Sequence, residues 1–208
     1  HNGKSVKVND KLQISNSSIN NFNLIVDYSV EALNGKTRSY TVILESFTKL
    51  PVILINTDNE SEITSKEEYI EGSLTFIGKY YKNPYFKKDI KIRGRGNYTW
   101  KQPKKPYQIQ FEEKTSFFDM PKDKKWIFLA NYADKTMSRT RLAFELGYMS
   151  SLDWTPRSHF SEVILNGEYI GTYQISEKVE EDDHRINIGN NGYLLEVEQL
   201  DKMKSDDI

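Results

Sequence analysis

The residues of this chain best suited to chemistry form a short ribbon in which two arginines alternate with two glycines, at Arg93, Gly94, Arg95 and Gly96. Glycine lets the backbone approach a ligand closely, and a guanidinium group can pair with phosphate through two parallel hydrogen bonds. Such a ribbon is poor material for a hydrophobic core, so the sequence predicts phosphate recognition here. A glycine-marked bulge that carries solvated arginines accounts for the same pattern equally well.

Charge is unevenly distributed around this ribbon. Between Lys79 and Lys105 there are ten basic residues and one acidic residue, Asp89. From Glu168 to Ile208 the balance reverses, with eleven acidic and four basic residues. A basic and an acidic surface that meet in the fold would form a cleft able to hold an anion together with its counter-cation. Two solvated surfaces of opposite sign explain the distribution as well.

The overall composition argues against several classes of function. The 208 residues are 37% apolar and 28% charged, which is typical of a soluble globular protein. The net charge of -1 argues against a protein that binds nucleic acid with its whole surface. The absence of cysteine excludes disulfides and thiolate chemistry, and three scattered histidines do not make a convincing zinc site. No apolar run approaches the roughly 20 residues that a transmembrane helix needs.

The beginning of the chain, residues 1–49, has the pattern of a small all-β unit. Its strand-like segments 23–33 and 36–44 flank Asn34-Gly35, the residue pair most typical of a two-residue hairpin turn. Because so few residues make a thin core, we expect this unit to depend on packing against the rest of the chain.

Residues 50–208 combine short strands with a helix. Strand patterns occur at 50–55, 69–77, 89–93, 107–111, 126–130 and 168–176, and Asn166-Gly167 predicts a second hairpin. A helix is expected from Asp134, as N-cap, to Met149, with Arg141 paired to Glu145. Its apolar stripe consists of Leu142, Phe144, Leu146 and Met149. The predicted fold class is α+β and mostly β, with an antiparallel sheet and one main helix.

A series of motifs occurs in order along the chain. They are Arg93-Gly94-Arg95-Gly96-Asn97 with Trp100, Lys104-Lys105-Pro106-Tyr107, Phe118–Trp126, Leu129–Thr136, Leu142–Leu146, Thr155–Ser158, Leu165–Tyr173, Ser176–Val179 and Gly192–Glu196. From residue 50 onward this order resembles the spore-coat protein H (CotH) kinase family, atypical protein kinases with a much altered kinase-like fold. Residues 1–49 look like the small immunoglobulin-like, β-sandwich-type modules that precede such domains in cell-envelope proteins.

The resemblance implies transfer of phosphate from ATP to Ser or Thr of a protein substrate, with Mg²⁺ as the metal. Residues 50–208 would be the amino-terminal, kinase-like lobe. Phosphoryl transfer requires groups that hold the triphosphate, carboxylates that hold the metal and a residue that orients the acceptor hydroxyl. In the family the metal-binding and catalytic aspartates come after the last motif matched here. We therefore expect this chain to hold the nucleotide without supplying catalysis, in the cell envelope or outside the cell.

Six residues are the candidates for nucleotide binding: Arg93, Arg95, Lys105, Glu145, Lys178 and Glu196. The resemblance places Lys178 at the end of a strand where kinase-like folds carry the nucleotide lysine. Its expected ion-pair partner is Glu145, unless Glu145 pairs with Arg141 instead. We expect the arginine-glycine ribbon and Lys178 to converge around a triphosphate.

Two of these six candidates, Lys105 and Glu196, have ordinary structural alternatives. Lys104 or Lys105 reaches a phosphate, or both remain surface lysines, which is the commoner outcome. Glu196 lies where a kinase hinge would meet adenine, and a solvated strand carboxylate is equally expected there.

A function of another class fits the same composition. With 12% aromatic residues, including 13 tyrosines, the strands would suit a non-enzymatic surface or adhesion module that contacts ligands or proteins. Nucleic-acid binding by the basic stretch alone fits less well, because the chain is not basic overall.

Overall fold

The computed structural model of the chain describes residues 3–15, 17, 18, 20, 26–42 and 48–195, and the chain divides into two units, residues 1–50 and 51–208. In the first unit four strands form an antiparallel sheet in the order β2-β1-β3-β4. The strands are β1 (Gly3–Val8), β2 (Lys11–Leu12), β3 (Val26–Ala32) and β4 (Thr37–Val42).

The predicted hairpin at Asn34-Gly35 is confirmed. This pair joins β3 to β4, and Gly35 has a φ of 78°, a value that glycine adopts without steric cost. The backbone N–H of Lys36 donates to Asn34 Oδ1 at 3.1 Å, which closes the turn. The described residues of this unit form one sheet, and the second layer of a β-sandwich is not among them.

The second unit is a closed barrel of seven strands in the order β10-β11-β9-β8-β7-β6-β5. The strands are β5 (Val52–Thr57), β6 (Ile70–Ile77), β7 (Tyr85–Gly94), β8 (Tyr107–Thr115), β9 (Asp123–Leu129), β10 (Ser158–Leu165) and β11 (Glu168–Glu177). Together with one α-helix among the described residues, α1 (Arg139–Met149), they confirm a mostly β fold.

Closure of the barrel corrects the expectation of an antiparallel sheet. Strand β5 pairs in parallel with β10, with Ile53 opposite Val163, whereas the other neighbours in the barrel are antiparallel. The run Ile53-Leu54-Ile55 is buried on both faces, which is typical of a strand in a parallel pair. Closure leaves no free sheet edge among the described strands of this unit.

The core fills the barrel with apolar side chains that point inward from alternate strand positions. Fully buried members include Ile53, Leu74, Ile92, Ile109, Phe128 and Ile175. At the end formed by the β6–β7 and β8–β9 connections, Phe76, Phe117 and Phe118 pack with ring centroids 4.5 to 5.4 Å apart. At the other end the ring centroid of Tyr107 lies 6.2 Å from that of Tyr173. Aromatic rings thus close both ends.

Helix α1 begins four residues later than predicted, with Ser138 and not Asp134 as its N-cap. Asp134 accepts a hydrogen bond from the backbone N–H of Arg139 at 2.8 Å, so its carboxylate caps the helix from outside the first turn. The ion pair between Arg141 and Glu145 is confirmed. The predicted apolar stripe is not buried: Leu142, Leu146 and Met149 are each more than half exposed. No described helix is long and apolar enough to cross a membrane.

Arg185 anchors the segment that comes after β11. It is 4% exposed, and its guanidinium lies against Asp123 and Glu180, with Nε 3.2 Å from Asp123 Oδ2 but without hydrogen-bond geometry at that atom. It also donates to the carbonyl oxygens of Lys125 at 2.6 Å and Lys178 at 3.0 Å. One buried cation therefore ties three segments together.

We expect Arg185→Ala to lower the free energy of unfolding by about 3 kcal/mol, because removal of one partner leaves the buried Asp123 carboxylate uncompensated. The matched control is Lys91→Ala, which removes an exposed ion pair of 2.9 Å to Glu71 and should cost much less, because solvent-exposed ion pairs contribute little to stability. Urea unfolding followed by circular dichroism measures both. Equal losses in the two variants would contradict the anchoring role of Arg185.

Candidate functional site

The arginine-glycine ribbon lies where β7 ends and the chain turns toward β8. The backbone N–H of Gly94 donates to Ser65 O at 2.8 Å, and that of Arg95 donates to Pro106 O at 3.2 Å. Residues 99–101 form a short 3-10 turn within the connection. The two arginines are therefore held at the same end of the barrel as the start of β8.

The space beside each glycine of the ribbon is filled by side chains of the following residues. A Cβ at Gly94 would overlap the ring of Trp100, and one at Gly96, whose φ is 82°, would overlap the hydroxyl of Thr99. The interpretation that these glycines leave a bare face for a ligand is wrong, because neighbouring side chains occupy that face. The glycines instead let the connection fold back tightly on β7.

Two of the candidate cations are held by backbone carbonyls and aromatic rings. Arg93 donates to Glu67 O at 3.2 Å, and its guanidinium carbon lies 4.7 Å from the centroid of the Tyr69 ring. Lys105 Nζ donates to Trp100 O at 2.8 Å and lies 5.3 Å from the ring centroid of Trp100. These contacts fix the position of each charge without neutralising it.

Lys104 is a cation whose pKa is strongly lowered by its surroundings. Its Nζ donates to Thr172 O and lies 4.3 Å from the centroid of the Tyr173 ring. Burial, and then repulsion from Lys135, lower the pKa of Lys104 to about 8. Lys135 Nζ itself lies 4.2 Å from the centroid of the Tyr132 ring. The β7–β8 connection and the segment after β9 thus bring two ammonium groups together.

Arg95 is half-buried, and burial lowers the pKa of its guanidinium. In the described ranges no carboxylate pairs with Arg95, Arg93, Lys104, Lys105 or Lys135. We call these five residues the cationic rim. Several other cations of the barrel unit, by contrast, are held by acids: Lys91 by Glu71, Lys114 by Asp182, Lys125 by Glu180, Arg141 by Glu145 and Arg157 by Glu177. The rim is therefore a concentration of positive charge that has no anionic partner within the described residues.

An acidic side chain does lie near this end of the barrel. Burial, and then the negative charge of Glu62, raise the pKa of the Tyr107 phenol to about 12. Glu62 is exposed and forms no ion pair with the rim. It therefore weakens the positive field of the rim without quenching it.

Candidate Lys178 lies away from the rim. Strands β7 and β11 run in opposite directions, so the chain leaves the barrel at one end after Gly94 and at the other after Glu177. Lys178 Nζ lies 3.1 Å from Glu180 Oε2, which also binds Lys125 Nζ at 3.2 Å. The expectation that Lys178 and the ribbon converge is therefore wrong.

The predicted ion pair between Lys178 and Glu145 is also wrong. Glu145 pairs with Arg141 one helical turn earlier, as in the alternative interpretation. Glu196 lies outside the described residues, so its proposed adenine contact stays a prediction. Of the six candidates, the structure groups Arg93, Arg95 and Lys105.

A surface groove of about 400 Å³ lies elsewhere, on the outer wall of β6, β7 and β8. Its charged lining mixes Glu71, Asp89 and Glu112 with Lys91. None of the candidate residues lines it, and opposite charges partly cancel there. The groove is therefore a weaker candidate for an anion than the rim.

Sequence reasoning missed Lys135 and did not separate Lys104 from its neighbour. The sequence does not favour Lys104 over its neighbour Lys105, and Lys135 is not among the predicted site residues. The available signal for Lys135 is its position just after the buried strand β9, at the barrel end where β8 begins. For Lys104 no local signal exists, because its burial depends on Tyr173 of the distant strand β11.

The rim fits the phosphates of a nucleotide, because ammonium and guanidinium groups are the usual partners of phosphate oxygens. The described residues do not offer a comparable site for a metal ion. The described part of the chain contains no group of three or more His, Asp or Glu residues that could hold a metal ion. The residues present therefore fit the triphosphate but do not locate Mg²⁺.

We expect Gly94→Ala to destabilise the protein by about 1–3 kcal/mol, since the added methyl group overpacks against the Trp100 ring. Gly3→Ala is the control, because a Cβ there meets no atom within 4 Å, and it should change stability by less than about 0.5 kcal/mol. Thermal unfolding followed by circular dichroism, which reports the strands of both units, measures the difference. An unchanged Gly94→Ala variant would refute the close packing.

The comparison with known proteins bears on this arrangement. No curated protein matches the chain. A family model described as CotH kinase protein matches residues 92–207, which is more than half of the chain and includes all five residues of the cationic rim. With that match, the chain belongs to the CotH kinase protein family.

Proposed function

We propose that this chain is the nucleotide-holding part of an ATP-dependent protein kinase that phosphorylates Ser or Thr of a protein substrate. Family membership supports a kinase-related function. The cationic rim is the observation that carries the proposal, because five cations without carboxylate partners in the described residues suit the triphosphate of ATP. We further propose that Mg²⁺ accompanies the nucleotide and that the protein acts in the cell envelope or outside the cell.

The role of each rim residue can be assigned from its chemistry. Arg93 and Arg95 present planar guanidinium groups that can bind two oxygens of one phosphate. Lys104, Lys105 and Lys135 act as point charges on flexible stems, which suits the outer phosphates. Bound Mg²⁺ would neutralise phosphate charge during transfer. The rim orients the phosphate chain and balances its remaining charge.

A second candidate function is supported by strand β4. All six of its residues are exposed, and it lies at the edge of the four-stranded sheet. An exposed edge strand can pair with a strand of another protein. A non-enzymatic surface module that contacts proteins is therefore the alternative. It predicts thermal stabilisation by a partner protein and none by ATP.

The kinase proposal is tested by phosphate transfer. We expect residues 1–208 to bind ATP and to incorporate no phosphate, because their described part offers no carboxylate cluster for catalysis. The whole gene product should transfer radiolabelled phosphate from ATP to a protein substrate. A thermal-shift scan with ATP and Mg²⁺ measures binding, and saturation at about 100 times the dissociation constant stabilises by roughly 2.7 kcal/mol. A whole product that transfers no phosphate would refute the proposal.

The affinity for ATP should fall as the pH rises through about 8, because Lys104 then loses the positive charge that attracts phosphate. Titrations of residues 1–208 with ATP between pH 7.5 and 9.5, by calorimetry at constant ionic strength, would show the loss. Lys104→Arg should remove most of this dependence, since arginine stays charged throughout the range. The same pH dependence in Lys104→Arg as in the unmodified chain would assign it to another group.

A further inference from the structure

We propose that the cationic rim recognises the length and charge of a phosphate chain and does not select the base, so that GTP and inorganic tripolyphosphate bind as ATP does. The inference rests on the proposed function for the location of the site. It goes further by naming the ligand class, which is any linear chain of three or more phosphates.

The charges of the rim match such a chain in number. The rim has five cations, Arg93, Arg95, Lys104, Lys105 and Lys135, and a triphosphate bound there would carry about four negative charges near neutral pH. A single phosphate, with at most two charges, can engage only part of this set. Affinity should therefore rise steeply with the number of phosphates.

The contacts of the rim leave its charges available. Arg93 and Lys105 donate to the carbonyls of Glu67 and Trp100, and Lys104 donates to Thr172 O. None of these contacts is an ion pair that a phosphate would have to break. Arg95 and Lys104 are also partly buried, so salt would screen their attraction for a bound phosphate less than at an open surface.

The aromatic rings near the rim are poorly placed to select a base. Tyr69, Trp100, Tyr132 and Tyr173 each carry a rim cation over the ring. Tyr98, in the same connection, is 66% exposed and offers a free ring. A single exposed ring stacks on any base, because every base has a flat π face. Stacking there adds affinity without discrimination.

The test is isothermal calorimetry with residues 1–208 at pH 7.5, using ATP, GTP, inorganic tripolyphosphate, AMP and inorganic phosphate. We expect the first three to bind within about threefold of one another, because charge dominates the interaction, and AMP and phosphate to bind at least about tenfold more weakly. Tripolyphosphate is the decisive ligand, since it has no base or sugar.

Variants connect this pattern to the rim. Lys135→Gln, at an exposed position whose loss leaves the core unchanged, should weaken ATP, GTP and tripolyphosphate by a similar factor of roughly five to ten. Arg95→Gln should do the same, with folding checked by circular dichroism. Lys91→Gln, an exposed lysine paired with Glu71, is the matched control and should leave all affinities unchanged.

The outcomes separate this inference from the proposed function. If ATP binds and tripolyphosphate or GTP does not, the inference is overturned while the kinase proposal stands. If all three bind equally but the whole gene product transfers no phosphate, the inference is supported and the kinase proposal fails. If none binds, or if Lys91→Gln weakens binding as much as Lys135→Gln, the rim is not the site and the inference is overturned.

Discussion

The parallel pairing of β5 with β10 is the constraint on which the rest of the barrel depends. Without it, two strands would present unpaired backbone groups along their whole length. Asn166 reinforces the pairing from within the β10–β11 turn: its side-chain oxygen accepts from Thr57 N at 2.8 Å, and its backbone N–H donates to Ile55 O at 2.8 Å. Within the closed barrel, the antiparallel pairing of β7, β8 and β9 makes the β7–β8 connection and the segment after β9 emerge at the same end, and this brings Lys104 close to Lys135.

The same side-chain types serve two different purposes in this unit. At one end, Arg185 and its carboxylate partners neutralise each other and hold chain segments in place. At the other end, carbonyl oxygens and ring faces hold the cations. Such partners fix geometry while leaving net charge, because neither a carbonyl nor a ring carries a full negative charge. An arginine or lysine is therefore informative about binding only when its partner is known.

Features set by neighbouring residues could be predicted from the sequence. The Asn34-Gly35 and Asn166-Gly167 turns and the Arg141–Glu145 pair depend on residues within one turn, and all three occur in the structure. The buried strand at 126–130 is recognisable from its continuous apolar run, and β9 covers most of it.

Features decided by distant contacts could not be predicted. Nothing near Gly94 in the sequence indicates that the ring of Trp100 fills its open side, since this depends on how residues 97–101 turn. The predicted partner of Lys178 is wrong because Glu180, two residues away, is itself fixed by Arg185 and Lys125. Parallel closure joins Pro51 to Ser161, residues separated by 110 positions, and no local pattern specifies that pairing.

That separation also sets the order of events when the protein is made. Strands β6 to β9 each come directly after a sheet neighbour, so a meander of β5 to β9 can assemble while the ribosome is still adding residues. Strands β10 and β11 appear only after α1, and until both are made β5 and β9 remain open edges lined by apolar side chains. Long-range pairing of this kind is slow, and open edges invite association between nascent chains. Synthesis through Glu177, the end of β11, is thus the point at which both open edges of the growing sheet can be paired.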